Sequence, residues 1–311
     1  MQRRQFGKSG LSVSLVGVGC NNFGGRMDPA AAKAVVHKAL DLGIDFFDTA
    51  DIYGGSGGSE SALGEILSSR RRDAVIATKC GMQMDKEGRL KGGSRRYVMR
   101  AVEDSLRRLK TDWIDLLYLH APDPLTPVEE TLRAFDDLVR QGKARYVACS
   151  NFAGWQIAEA EFTARQAGIS RFIGCQSEYN LLERGIEKEV IPALRAYNLG
   201  LVPYFPLASG LLTGKYRKDA MPKGARLTEG AWFAEHHQLE RNWSKVEALR
   251  AFCDQRGRKM TELAMSWLAS RPQVASIIAG ATKPEQVEQN AAAVGWTLSA
   301  EELKEIDRIT A

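Results

Sequence analysis

Eight short apolar runs alternate with eight helical stretches, and this alternation constrains the fold of the chain more than any other feature. Strands that are buried on both faces form continuous apolar runs, and an intervening helix returns the chain so that successive strands lie parallel. A length of 311 residues suits a barrel of ~250 residues with extensions. We therefore predict an α/β protein with one domain over residues 1–311, a (β/α)8 TIM barrel with an N-terminal hairpin at 2–14 and extra helices. The predicted strands are LVGVG (15–19), IDFFDT (44–49), AVIAT (74–78), WIDLLYL (113–119), ARYVACS (144–150), FIGCQ (172–176), GLVPY (200–204) and VASIIAG (274–280).

Local signals mark the ends of several helices. Asp28 and Pro29 are typical of a helix start, and Gly43 of a helix end. Ser299 with Glu302 forms a capping-box pattern for the last helix. The rival fold, a doubly wound open sheet, would carry a glycine-rich dinucleotide fingerprint at its first turn. GVGCNN (17–22) has Asn22 in place of the third glycine, so the barrel is favoured.

Composition excludes several classes of protein. The net charge of +5 comes from dispersed basic residues, which indicates solvated faces and no nucleic-acid surface. The N-terminus, MQRRQFGKSG, lacks the apolar core of a signal peptide, and no run approaches ~18 apolar residues. The five cysteines have no paired spacing and are expected to be buried thiols without a metal. We expect a cytoplasmic protein with no membrane partner.

Polar side chains lie at or just after the ends of three of the predicted strands. Asp48 and Tyr53 lie in DTADIY, Lys79 ends VIATK, and His120 ends DLLYLH. The carboxyl ends of barrel strands lie on one rim, so these residues should meet although they are far apart in sequence. Alone, each has a simpler explanation, such as a helix cap, a solvated lysine or a core histidine. Together, a phenol, an ammonium, a carboxylate and an imidazole suit proton transfer at a tyrosine.

Over essentially its whole length the chain resembles the aldo-keto reductases, (β/α)8-barrel enzymes that use a nicotinamide cofactor. The glycine-rich GGSGG (54–58) makes it similar to the branch that includes bacterial reductases and potassium-channel β subunits. The motifs that carry the resemblance are GIDFFDTADIYG (43–54), ATK (77–79), DLLYLH (115–120), CSN (149–151), QSEYN (176–180), PYFPLASGLLTGKY (203–216) and GATKPEQVEQN (280–290).

The resemblance implies a reductase of aldehydes and ketones, with Tyr53 as general acid. A nearby ammonium lowers the pKa of a phenol, which is the role implied for Lys79. Asp48 would orient Lys79, and His120 would position the substrate oxygen.

The resemblance also implies which residues hold NADP(H). Lys283, at the start of a helix, could meet the 2′-phosphate, although Gln286 stands where better-known members often have arginine. The cofactor residues implied are Ser150, Asn151, Gln176, Tyr204, Leu207, Ser209, Gly210, Leu211, Thr213, Lys215, Gly280, Thr282, Lys283, Gln286, Gln289 and Asn290.

Substrate selectivity is expected from loops above the rim, with Asn22, Phe23, Trp232 and Phe233 as candidates. The segment 205–238 looks irregular and is typical of a functional lid. His236 and His237 are interpreted as loop surface, because no further ligands stand at metal spacing in the sequence.

Three functions stay open at the level of sequence. The first is an NADP(H)-dependent reductase of small carbonyl compounds. The second is an NAD-preferring sugar or alcohol dehydrogenase of the same fold. The third is a cofactor-binding regulatory subunit with slow turnover. Neither the substrate nor the oligomeric state follows from the sequence.

Overall fold

Eight parallel strands form the barrel: the first seven pair in chain order, and the eighth pairs with the first. The computed structural model describes residues 1–217, 221–222, 226–229, 231–237 and 239–311. A bridge between Leu201 and Val274 joins the two ends of the sheet, so the predicted (β/α)8 barrel is confirmed. The barrel strands are β3 (Val16–Gly19), β4 (Phe46–Asp48), β5 (Val75–Cys80), β6 (Ile114–Leu119), β7 (Ala144–Ser150), β8 (Gly174–Glu178), β9 (Gly200–Tyr204) and β10 (Ile277–Gly280).

Helices follow the strands as the sequence predicts. Asp28 caps the first helix by accepting hydrogen bonds from the amides of Ala30 and Ala31, and Ser299 caps the last through its capping box. Among the described residues, no helix has the length and apolar character needed to cross a membrane. The helices are α1 (Pro29–Asp41), α2 (Tyr53–Ser56), α3 (Gly58–Leu67), α4 (Arg95–Leu109), α5 (Val128–Arg140), α6 (Gly154–Ala167), α7 (Val190–Tyr197), α8 (Arg226–Glu229), α9 (Ala231–His236), α10 (Leu239–Asp254), α11 (Met260–Ala269), α12 (Pro284–Ala292) and α13 (Ala300–Thr310).

The N-terminal hairpin covers the end of the barrel opposite the predicted site. Its strands β1 (Arg3–Gln5) and β2 (Ser12–Ser14) pair antiparallel, as predicted. Between them, Phe6 is fully buried inside the barrel. A Cβ on Gly200 would lie 2.8 Å from the Phe6 ring, so glycine makes room for this plug. The Phe6 side chain therefore fills this end of the barrel interior.

The segment after β9 is more ordered than its sequence suggests. We expected irregular chain over 205–238, but the described part contains a 3₁₀ turn at Ala208–Thr213 and the short helices α8 and α9. The reason is burial: Ala208, Leu211, Leu212 and Tyr216 are fully enclosed, and Leu227 nearly so. Apolar anchors thus fold this segment onto the barrel rim.

Candidate active site

The structure brings Asp48, Tyr53, Lys79 and His120 together at one rim. Asp48 ends β4, Tyr53 begins α2, Lys79 lies near the end of β5, and His120 directly follows β6. Since β4, β5 and β6 are consecutive neighbours in the sheet, their carboxyl ends are adjacent. The predicted grouping therefore follows from strand order.

Lys79 is a fully buried cation. Its ammonium donates to Asp48 Oδ1 at 2.5 Å and to the carbonyl of Thr49 at 2.8 Å. Burial works to lower the pKa of Lys79, but the charge of Asp48 and the phenol of Tyr53 outweigh it and the pKa is raised. Burial raises the pKa of Asp48, against the effect of Lys79. We conclude that Lys79 is charged and fixed in position.

Tyr53 is half-buried above this ion pair. The Lys79 ammonium lies 5.0 Å from the centre of the Tyr53 ring. Burial raises the pKa of Tyr53 above its ordinary value, while Lys79 lowers it. The sequence predicted a lowered pKa; the ammonium does act in that direction, but burial is the larger effect. The phenol therefore holds its proton at neutral pH.

Glycines allow the chain to turn beneath Tyr53. Gly54 and Gly55 have φ of 69° and 75°, in the left-handed region that favours glycine. A Cβ on Gly54 would lie 2.5 Å from the carbonyl oxygen of Phe23. The glycine-rich stretch thus lets the Tyr53 turn pack closely on the loop after β3.

His120 is a neutral imidazole beside the phenol. Its ring meets the Tyr53 ring edge-on, with centroids 5.7 Å apart. Burial, and then the Lys79 ammonium, lower the pKa of His120 to about 3. Its Nδ1 is buried and has no hydrogen-bond partner in the part of the chain that the structure describes. The other ring nitrogen, Nε2, is therefore the group available to a bound molecule.

A hydrogen-bonded group continues along the rim from these four residues. Gln176 donates through Nε2 to Asp48 Oδ2 at 2.8 Å, so Asp48 is held on both oxygens. Asn151 donates to the carbonyl of His120 at 2.9 Å and accepts from the Tyr204 hydroxyl at 2.9 Å. Asn151 has φ of 61°, a conformation that asparagine tolerates better than most residues. The ends of β7, β8 and β9 are thereby linked to the Tyr53 site.

A cavity of about 1120 Å³ runs from Tyr53 and His120 to the start of α12. It is long and lined by polar groups at intervals, which suits an extended dinucleotide. Gly210, with φ of 100°, allows the backbone to turn within its wall. The predicted cofactor residues that line it are Ser150, Asn151, Gln176, Tyr204, Leu207, Ser209, Gly210, Thr213, Lys215, Gly280, Thr282, Gln286, Gln289 and Asn290.

Two of the predicted contact residues, Leu211 and Phe23, do not line the cavity. Leu211 is fully buried among core residues and does not line the cavity. Phe23 is also fully buried, because a turn closed by its amide and the carbonyl of Cys20 directs the ring inward. Asn22 lies beside the cavity, as predicted.

Two further candidates, Lys283 and Trp232, lie away from the cavity wall. Lys283 is exposed at the N-terminus of α12, next to Thr282, and its side chain does not line the cavity. Trp232 is 57% exposed and stacks on His236, with ring centroids 4.6 Å apart. The side chain of Phe233 lies outside the described residues.

Arg250 is a site residue that the sequence analysis missed. It comes from α10, is 7% exposed, and donates to the carbonyls of Gly214 and Tyr216 at 2.9 Å and 2.7 Å. These carbonyls flank Lys215, so Arg250 fixes the backbone on both sides of that lysine. Nothing local in the sequence marks this role, because the contact spans more than thirty residues.

The cavity wall is more basic than predicted. Arg258 and Lys259, in the turn between α10 and α11, line it together with Lys215 and Arg250. Asp254 and Glu262 supply opposite charge there. The short basic run RGRK (256–259) is the signal in the sequence that could have indicated this surface.

The interpretation of His236 and His237 as loop surface is wrong for His237. It is 5% exposed, and its Nε2 lies 2.8 Å from the Ser209 hydroxyl. His236 Nε2 lies 2.6 Å from Glu178 Oε2. Glu178 is 58 residues away in sequence, so only the fold reveals the grouping.

Comparisons with known proteins place these observations in context. Residues 15–311 match the model of the aldo/keto reductase family. A probable voltage-gated potassium channel subunit beta from Oryza sativa subsp. japonica is 37% identical, covering 93% of this chain and 90% of the relative. An uncharacterized oxidoreductase, YrpG, of Bacillus subtilis is 36% identical over 99% and 96% of the two chains. An L-glyceraldehyde 3-phosphate reductase of Escherichia coli is 35% identical over 99% and 92%.

Proposed function

Because the chain belongs to the aldo/keto reductase family, we propose that it is an NADP(H)-dependent reductase of small aldehydes and ketones. Family membership and the oxidoreductase relatives support nicotinamide-dependent carbonyl chemistry in general. The choice of NADP(H), the role of each residue and a cytoplasmic location are our proposals. One observation carries the mechanism: a fully buried lysine, paired with Asp48, lies against the ring of a tyrosine that lines the cavity.

In the proposed mechanism, Tyr53 is the proton donor. Reduction of a carbonyl places a hydride on carbon and a proton on oxygen, and a nicotinamide held in the cavity would supply the hydride. The phenol donates its proton to the carbonyl oxygen, and the Lys79 ammonium stabilises the phenolate that remains. Asp48, held by Gln176, keeps the ammonium oriented.

His120 orients the substrate without carrying charge. An imidazole whose pKa is about 3 is neutral at physiological pH, so it donates a hydrogen bond through Nε2 and leaves proton transfer to Tyr53. The fixed donor and the phenol together define where a carbonyl oxygen can lie. Such positioning raises the rate because the carbonyl and the proton donor are already held in the geometry needed for reaction.

The residues along the cavity fit a dinucleotide. Ser150, Asn151 and Gln176 would hold the carboxamide of the nicotinamide, and Tyr204 would stack on its ring. The Gly210 turn and Lys215 would hold the pyrophosphate, since a lysine ammonium pairs well with phosphate. Gln286, Gln289 and Asn290 would meet the adenosine.

Replacing Tyr53 with phenylalanine tests the mechanism. We expect Tyr53→Phe to lower kcat about 10²–10⁴-fold, because the proton donor is lost while the ring keeps its shape. NADPH affinity should stay near wild type. A variant that keeps more than roughly a third of wild-type kcat, with chemistry limiting the rate, would remove Tyr53 from the mechanism.

Cofactor preference needs its own test. A charge-assisted contact contributes about 1.5–3 kcal/mol, so a lysine on the 2′-phosphate should favour NADPH about ten- to a hundredfold. We propose Lys283 for this contact and expect Lys283→Ala to reduce the preference, as measured by quenching of tryptophan fluorescence with both cofactors. Lys259→Ala, which removes a lysine that lines the cavity, is the matched comparison. Equal affinities for NADPH and NADH in the wild type would contradict the assignment.

A slow-turnover regulatory subunit is the second candidate. The relatives named as potassium channel β subunits favour it. Steady-state assays with a panel of aldehydes that includes glyceraldehyde 3-phosphate, with each cofactor, separate the candidates. Turnover well below about 1 s⁻¹ on every substrate, despite tight NADPH binding, would favour the regulatory function.

A further inference from the structure

Glu178, His236 and His237 converge at the edge of the rim, outside the set of proposed catalytic residues. Glu178 ends β8, next to Tyr204 in the sheet, and the two histidines lie at the end of α9. His236 Nε2 is 2.6 Å from Glu178 Oε2, and His237 Nδ1 is 3.6 Å from Glu178 Oε1. One donor atom from each residue lies within 4.8 Å of the others. Two imidazoles and a carboxylate therefore face a common point.

The surroundings of His237 resemble those of a metal ligand. Metal-binding histidines usually donate their second ring N–H to a neighbouring oxygen, which fixes the ring and its tautomer. His237 Nε2 is 2.8 Å from the Ser209 hydroxyl, so donation there would leave Nδ1, 3.6 Å from Glu178 Oε1, unprotonated. The side chains of His237 and Glu178 are only 3% and 12% exposed.

We propose that Glu178, His236 and His237 form a zinc site that fastens the segment 231–237 to the barrel rim. Two histidines and one glutamate are a donor set that zinc uses in sites with an open fourth position. Zinc bonds of about 2.0–2.2 Å require donor atoms about 3.4 Å apart in a tetrahedral site. The donor atoms that are farthest apart, at up to 4.8 Å, must therefore approach each other by somewhat more than about 1 Å. The His236 side chain is 33% exposed and has room to rotate.

Zinc at this point would act on the cofactor cavity through Ser209. This residue lines the cavity and touches His237, so a metal that immobilises His237 also immobilises the turn that contains Ser209. Zinc binding should consequently slow the release of NADPH. This consequence rests on the proposed function, whereas zinc binding itself does not.

Zinc affinity is measured on the chelator-treated full chain, without cofactor or substrate, by competition with a chromophoric chelator. We expect one zinc per chain, and binding at least about 10-fold weaker in Glu178→Gln and in His236→Asn. His37→Asn, which removes a histidine on α1, is the matched control and should bind as the wild type does. Circular dichroism and the unfolding midpoint establish that each variant is folded.

X-ray absorption of the zinc-loaded protein identifies the ligands. A first shell of nitrogen and oxygen with imidazole scattering supports the site, whereas sulfur in that shell would assign the zinc to a cysteine and overturn the proposal. So would unchanged affinity in both cluster variants. Absence of binding at about 100 µM free zinc would leave the cluster as a hydrogen-bonded contact and would also overturn it. Each of these results can be distinguished from failure of the reductase mechanism, because none involves turnover.

Discussion

Replacing Lys79 with methionine should separate the structural and catalytic roles of the buried ion pair. Methionine fills similar space but carries no charge. Lys79 has no exposed surface, and the Asp48 side chain is 4% exposed. Among the described residues, the remaining buried carboxylate would keep Gln176 as its one side-chain hydrogen-bond partner. We therefore expect Lys79→Met to lose both stability and activity.

The loss of stability can be bounded from the structure. Removing one partner of a buried ion pair costs about 3–5 kcal/mol. Asp48 can avoid part of this cost by binding a proton; from its ordinary pKa of 3.8, neutralisation at pH 7 costs about 4.4 kcal/mol, because one pKa unit corresponds to about 1.36 kcal/mol. At about pH 5.5 protonation of Asp48 costs about 2.3 kcal/mol. We expect a deficit of about 3–4 kcal/mol at pH 7 that shrinks by roughly a third to a half at pH 5.5.

The sign of this pH dependence follows from proton binding. In the variant, the folded state holds a proton on Asp48 at pH values where the unfolded chain is ionised. A folded state that binds more protons loses stability as pH rises, so the deficit of the variant grows from pH 5.5 to 7. Urea unfolding followed by tryptophan fluorescence at both pH values measures it.

Catalysis should fail for a different reason. Without the ammonium, the phenolate left by proton transfer is not stabilised, and kcat should fall by about 10²–10⁴-fold. The double variant Asp48→Asn with Lys79→Met removes the uncompensated charge, so it should regain stability without regaining activity. Wild-type stability of Lys79→Met at both pH values, a deficit independent of pH, or kcat above roughly a third of wild type would refute this reasoning.

Three further variants test other features of the structure. Arg250→Met should weaken NADPH binding roughly tenfold in a fluorescence titration, because the backbone that flanks Lys215 loses two hydrogen bonds; unchanged affinity would contradict this. Burial raises the pKa of Asp51 to about 7, so its folded state binds a proton between about pH 4 and 7 and the free energy of unfolding falls as pH rises through that window. Asp51→Asn should remove this slope and be more stable than wild type by about 1–3 kcal/mol at pH 8 in urea unfolding, and an unchanged slope would count against it. Gly24→Ala should lower the unfolding free energy by more than about 1–3 kcal/mol and reduce kcat, since its Cβ would lie 2.1 Å from the carbonyl carbon of Gly58 and φ there is 68°; wild-type behaviour would show that this approach is not required.

The strand-end residues could be predicted from the sequence because strand direction is a local property with a global consequence. Parallel strands in a barrel present all their carboxyl ends at one rim, whatever the details of packing. Asp48, Lys79 and His120 therefore had to lie at the same end once the eight strands were recognised. The prediction that the cysteines are buried thiols is also confirmed, because the described residues include all five cysteines and each is buried and free.

The predicted residues that do not line the cavity differ from the others in the direction in which their loop side chains point. Phe23 and Asn22 are neighbours after β3, yet one enters the core and the other faces the cavity. Likewise, Leu211 is buried in the core, whereas its neighbour Gly210 lines the cavity. A turn closed by backbone hydrogen bonds makes that choice, and loops have no periodicity from which it could be predicted.

The sequence by itself determined the barrel, the rim that carries the chemistry and most of the polar cavity wall. Each of these depends on alternation, strand direction or a motif of adjacent residues. The tertiary structure decided the contacts between distant segments: Gln176 on Asp48, Arg250 on the backbone beside Lys215, and Glu178 with His237. Such contacts depend on how far helices and loops shift when they pack, and a change of a few ångströms is enough to make or break a hydrogen bond.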